Sequence, residues 1–233
     1  MSGLNIAVDG PAGAGKSTIS KLLAKDLGLV YIDTGAMYRA VALKMLRAGV
    51  DVKQDAVAVE RILGDTDIDI RHAPDGQRIF LDGEDVTGKI RTPQVSVMAS
   101  DVAVIPAVRL KLVALQRALA QKSDCIMDGR DIGTYVLPNA SLKLFLTASA
   151  EDRAKRRFDE LLARGESVTY EAVLRDLKYR DKNDSTREMA PLKPAADSVL
   201  VDTTGNTFEQ SVGLLKNIIL NHIKETKSCY IDS

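Results

Sequence analysis

The chain has no tryptophan, four phenylalanines, two histidines and two cysteines among its 233 residues. Each scarcity removes a class of function. Cys125 and Cys229 are too few and too far apart in sequence for a zinc framework or a disulfide scaffold, which fits a reducing cytoplasm. His72 and His222 are isolated, so a histidine base or histidine metal site has little support. The 32 basic residues balance 32 acidic ones, leaving no global field to draw the chain to nucleic acid or a membrane. With so few aromatic rings there is no stacking platform for nucleic acid bases either. The first residues, MSGLNIAVDG, lack the basic start and apolar stretch of a signal peptide, and no run of about eighteen apolar residues offers a spanning helix. The expectation is a cytoplasmic protein with small-molecule partners. A monomer is expected because nothing reads as a coiled coil or a large apolar patch.

What is present is ordinary for a globular domain: 45% hydrophobic and 27% charged residues. Apolar runs at Leu4–Val8, Leu29–Ile32, Cys125–Met127, Leu142–Leu146 and Val199–Val201 alternate with helical patterns. The first helix begins near Lys16, the second carries Met37, Val41, Leu43, Leu46 and Val50, and others lie near 106–122, 150–163, 169–182 and 207–224. Five short buried strands separated by helices predict an α/β fold with a five-stranded parallel sheet flanked by helices. From Asp67 to Val86 the rhythm changes to alternating Ile and charge with AspGly pairs at 75 and 82, which predicts a small antiparallel meander. That insert reads equally as a surface hairpin or as a flap over a cleft. The residues from about Thr226 read as a frayed tail.

Residues 10–17, GPAGAGKS, match G-x-x-x-x-G-K-[ST] between a predicted strand and a predicted helix. A chance match in a chain this long is roughly one in a hundred. The segment Gly10, Pro11, Ala12, Gly13, Ala14, Gly15, Lys16, Ser17 and Thr18 would fold its N–H groups around phosphate at a helix N-terminus. Lys16 would reach the β- and γ-phosphates, and the Ser17 hydroxyl would ligate Mg²⁺. The class is therefore a P-loop NTPase fold. No NKxD segment is present to read guanine, and the length leaves little room for a motor's coupling elements, so a kinase leads. A nucleotide-binding regulator without phosphoryl transfer is the alternative.

In such sheets ligands bind beyond the carboxyl ends of the strands. There Thr34 and Arg39 follow the second strand, and Asp128, Arg130 and Asp131 follow the third. Two arginines on neighbouring loops suit a monophosphate, because a guanidinium fork pairs bidentately with its oxygens. Asp128 reads either as a Mg²⁺ ligand or as a loop cap. Arg153, Arg156 and Arg157 share one helix face, either solvated or carried by a lid that brings them onto the transferring phosphoryl group. Arg180, Asp184 and Arg187 sit near a helix end.

GPAGAGKST, DTGAMYR, the SVMAS to RLKLVALQR region, DGRDIGT and YRDKNDSTR stand in the order and spacing of bacterial cytidylate kinases, and the chain resembles that family over nearly its whole length. The resemblance implies transfer of the γ-phosphoryl group of Mg-ATP to CMP or dCMP in pyrimidine nucleotide metabolism. It implies that Thr34, Arg39 and Arg130 surround the acceptor phosphate, and that Ser100, Arg109 and Asp131 read the cytosine edge. Arg180, Asp184 and Arg187 would hold the sugar hydroxyls and phosphate, and Lys16, Arg130, Arg153 and Arg157 would be catalytic. It further implies a core of residues 1–35, 104–150 and 185–233, a nucleotide-monophosphate (NMP) region with the β insert at 36–103, and a helical lid at 151–184.

Overall fold

The computed structural model describes residues 3–73 and 76–231. In chain order the elements are β1 (Asn5–Asp9), α1 (Lys16–Leu27), β2 (Val30–Asp33), α2 (Thr34–Arg47), α3 (Ala56–Gly64), β3 (Ile68–Ala73), β4 (Gly76–Leu81) and β5 (Glu84–Asp85). They continue with α4 (Pro93–Val102), α5 (Pro106–Ala120), β6 (Cys125–Asp128), β7 (Leu142–Thr147), α6 (Ala150–Ala163), α7 (Tyr170–Thr186), β8 (Val199–Asp202) and α8 (Phe208–Ile231).

The main sheet has the order β2-β6-β1-β7-β8, with every pairing parallel. Its alternating side chains feed two cores. Ala7, Cys125 and Met127 face α2 and α5 together with Met37, Val41 and Leu112. Ile6, Val8 and Ile126 face α1 and α8 with Leu23, Leu215 and Ile219. Period-two alternation between two apolar layers is what a central strand needs, and each such side chain contributes roughly 1.5–3 kcal/mol of burial. The chain runs from β1 toward β2 on one side and later from β6 to β7 on the other, so a crevice opens over the carboxyl ends of β1 and β6.

The insert is a three-stranded antiparallel sheet, β3-β4-β5, as the alternation predicts. Ile68, Ile70, Ile79 and Leu81 join the larger core, and a two-residue turn at Asp82 and Gly83 has φ of 51° and 84° at those positions. The other predicted turn, at Asp75, lies outside the described residues.

Three readings change. The fifth strand is not buried: β8 is one of the two sheet edges, with Val199 40% and Leu200 64% exposed. The backbone past Thr226 is helical as far as Ile231 rather than frayed. Helices α3 and α4 and a π-helical turn at Ile132–Val136 add elements that the apolar periodicity does not reveal. Among the described residues, no helix is long and apolar enough to cross a membrane.

Candidate active site

The phosphate loop joins β1 to α1. Gly10 has φ 143°, and a Cβ there would stand 1.9 Å from the Leu146 carbonyl oxygen, so no side chain fits against the sheet. Gly15, in the left-handed region, caps α1 without a side-chain hydrogen bond, and the first turn carries no acid. The helix N-terminus therefore presents uncapped N–H groups and a favourable dipole to an anion. Lys16 is buried, and its Nζ donates to the Pro11 carbonyl at 2.7 Å. Burial, with the Arg130 charge beside it, pushes the ammonium well below its ordinary pKa.

Asp128 ends β6 beside this loop. Its carboxylate accepts from the Ser17 hydroxyl at 2.7 Å and from the Tyr31 hydroxyl at 3.0 Å. Burial and the neighbouring Asp33 carboxylate raise it to about 6. Ser17 and Asp128 thus set two hard oxygen donors side by side.

The rest of the site draws on β2, α2, α4, α5, α7 and the loop after β6. Asp33 ends β2 and caps α2 by accepting from the Ala36 N–H at 2.9 Å, so strand passes to helix with no intervening loop. Burial alone would raise this carboxyl, yet Arg39, at 2.8 Å, and Arg91, at 3.5 Å, hold it below its ordinary value. The Thr34 hydroxyl donates to the Asp128 carbonyl at 2.8 Å. Arg130 pairs with Asp184 of α7 at 2.8 Å, and the same carboxylate lies 3.5 Å from the Ser100 hydroxyl of α4. Asp131 pairs with Arg109 and, at 3.0 Å, with Arg187. Arg180 is pushed down to about 10 by burial and by Arg130, and its Nε has no partner. Arg180 is half-buried and lines the same cavity, where its unpartnered Nε is suited to an anion.

These groups surround one cavity of about 520 Å³, lined by the phosphate loop and by Arg39, Arg130, Arg180 and Arg187. Further lining comes from α6 and the residue after it, where Arg157 and Arg164 both pair with Glu160 and Arg156 donates to Thr203.

Two of the expected site residues, Arg153 and Arg109, are not in the cavity lining. Arg153 does not line the cavity. It is buried, donating to the Ala148 and Ala12 carbonyls at 2.9 Å each and pairing with Asp181 at 2.7 Å. Helical spacing puts it on the face of Arg156 and Arg157, but α6 packs that position against the phosphate loop, so Arg153 links α6 to the loop and to α7. Arg109 is 0% exposed and lies behind Asp131 with its Nε unpartnered, so Asp131 and not Arg109 faces the cavity.

A family model described as Cytidylate kinase matches residues 6–224. The chain belongs to the cytidylate kinase family. A relative named Cytidylate kinase from Caldicellulosiruptor saccharolyticus is 57% identical over 90% of this chain and 92% of its own length. Another from Carboxydothermus hydrogenoformans is 51% identical over 93% of this chain and 97% of its own. Among solved structures, a gluconokinase from Sinorhizobium meliloti superposes with a TM-score of 0.50 at 12% identity, covering 100% of this chain and 98% of its own. An uncharacterized protein from Eubacterium ventriosum gives 0.51 at 14% identity over 95% and 98%. Those two likenesses bear on the fold, which is that of the P-loop kinases.

Against the family's motifs, the structure adds residues that sequence reading passes over. Asp9, the last residue of β1, accepts from the Ile132 and Gly133 N–H groups at 2.7 Å each, tying the start of the phosphate loop to the loop that carries Arg130 and Asp131. Burial raises it to about 6. Arg91, Glu160 and Arg164 line the cavity although no motif contains them. Tyr38 lines it too, its hydroxyl pushed up to about 12 by burial. Asp9 carries a signal as the acid directly before the glycine loop, and Tyr38 lies within the DTGAMYR segment beside Arg39.

Proposed function

We propose that the chain transfers the γ-phosphoryl group of ATP to CMP or dCMP, forming ADP and CDP or dCDP. One observation carries the reading: a complete phosphate loop, four arginines (Arg39, Arg130, Arg180 and Arg187) and the Asp131 carboxylate line one and the same cavity. An anionic phosphate oxygen of the acceptor attacks the γ-phosphorus while the bond to the β-bridging oxygen breaks. No general base is needed, because the acceptor phosphate already carries about −1.5 to −2 charge near neutral pH. Lys16 and the loop N–H groups stabilise charge on the donor, and Arg39 and Arg130 hold the acceptor in line. Arg157 lines the same cavity, where it pairs with Glu160 at 2.8 Å, and in this reading it exchanges that carboxylate for the transferring phosphoryl group.

Asp131 accepts from the exocyclic amine of cytosine, with Ser100 beside it, and Arg109 supplies donors to the ring nitrogen and carbonyl once it turns from the Ala103 carbonyl it now meets at 3.3 Å. Asp184, Arg180 and Arg187 hold the sugar and phosphate. Ser17 and Asp128 fit Mg²⁺, a hard cation that takes one or two protein oxygens and completes its shell with water and phosphate. Magnesium there would neutralise charge shared by the β- and γ-oxygens. A cytoplasmic monomer completes the proposal.

The test is ADP formation with Mg-ATP and CMP, dCMP, UMP, AMP or GMP. Fast turnover confined to CMP and dCMP supports the assignment. ATP binding with no acceptor consumed would replace it with a nucleotide-binding regulator.

A further inference from the structure

The antiparallel insert reaches the cavity wall through one side chain. Gln77 of β4 faces β2, the edge strand of the main sheet. Its carboxamide oxygen accepts from the Asp33 N–H at 2.9 Å, and its amide N–H donates to the Asp33 carbonyl at 3.2 Å. A side-chain amide thus supplies both hydrogen bonds that a neighbouring strand residue would supply. On β3, directly across the ladder from Gln77, a His72 ring nitrogen lies 3.1 Å from the Tyr31 carbonyl oxygen. The insert therefore grips β2 at Tyr31 and Asp33, whose side chains contact Asp128 on one side and Arg39 with Arg91 on the other.

We infer that Gln77 is a positioning residue for the acceptor phosphate: by fixing the main chain of Asp33 it fixes the carboxylate that aims Arg39 and Arg91 into the cavity. The inference rests on reading that wall as the acceptor site. It gives the insert a role other than surface hairpin or flap, namely a buttress on the sheet edge. Gln77 touches no substrate. The chemistry needs both an oxygen and an N–H at this reach. Leucine offers neither, asparagine is one methylene short, and glutamate keeps the acceptor but turns a second oxygen toward the Asp33 carbonyl.

The experiment compares wild type, Q77L and Q77E by ADP formation, varying CMP at saturating ATP and ATP at saturating CMP. Cytidine, which lacks the phosphate, is run as a competitive inhibitor. With two neutral hydrogen bonds removed, Q77L is expected to raise KM for CMP roughly five- to thirty-fold. KM for ATP and the inhibition constant of cytidine should stay within about twofold, because neither involves Arg39. An unchanged KM for CMP overturns the inference, as does a rise matched in ATP or cytidine, which would mean general loosening. Should Q77L fail to fold, Q77E carries the same comparison. A wild-type protein that makes no ADP with CMP fails on its own and takes this inference with it, so the two failures are distinct.

Discussion

Replacing Asp131 by asparagine changes one charge and almost no volume. The wild-type carboxylate is buried between Arg109 and Arg187 and faces the cavity. It presents only acceptors, so it suits the exocyclic amine of cytosine and opposes the carbonyl that uracil has in that place. An unpaired buried polar group costs about 1–3 kcal/mol, or roughly 5- to 150-fold in kcat/KM. The substituted carboxamide can turn its NH₂ toward either the base or the arginines. The kcat/KM for CMP should therefore fall by a factor in that range while that for UMP holds or rises, and KM for ATP should move little. Stability carries a second signature. Neutralising one partner of a buried ion pair costs on the order of 3 kcal/mol, the low end for such losses because the carboxamide oxygen still accepts. For a chain of this size that is about 6–12 °C in Tm. Coupled ADP formation with CMP and UMP, beside thermal unfolding, reads both. A folded variant whose CMP-to-UMP ratio is unchanged would refute the base-reading role, and an unmoved Tm would refute the buried pair.

Lys16→Ala should lower turnover at least about 100-fold with the fold intact, since it removes the cation stabilising the transferring group; near-normal turnover would refute that role. Arg153→Ala should lower Tm and raise KM for ATP, because it cuts the links from α6 to Ala12, Ala148 and Asp181. A fall in kcat alone, with Tm unchanged, would instead return Arg153 to the transferring phosphoryl group. Asp9 binds its proton more tightly in the folded chain, at about 6 against 3.8, so the unfolded chain releases a proton that the native state keeps as pH rises between those values. Stability should fall with rising pH across that window, by up to about 3 kcal/mol from this group. Asp128 adds a slope of the same sign without Mg²⁺. Urea unfolding between pH 4 and 7 should show a weaker slope in Asp9→Asn than in wild type, and equal slopes would remove Asp9 as a contributor.

Much of this was legible because the governing interactions are local. A glycine loop between a strand and a helix is specified by contiguous residues, and the phosphate site at Gly10–Thr18 follows from them together with the helix N-terminus. The apolar runs located the strands of the main sheet to within about a residue, and the Ile68 to Leu81 alternation exposed the insert. Val199 and Leu200 misled as to burial, because an apolar run has the same letters at a sheet edge as at its centre, and only the strand order places β8 outermost.

The acceptor site is of another kind. Its arginines and carboxylates come from α2, the loop after β6, α5 and α7, and which charge meets which depends on how those elements pack. Sequence spacing put Arg153 beside Arg157, yet packing of α6 on the phosphate loop buried one and left the other in the cavity. Likewise nothing in the letters around Gln77 announces a contact 44 residues away at Asp33. Sequence alone determined the phosphate loop and the strands of the main sheet, because glycine-loop geometry and apolar periodicity act over a few residues. The tertiary structure alone decided which polar side chains line the cavity and which brace them, since burial and pairing of charge depend on neighbours distant in the chain.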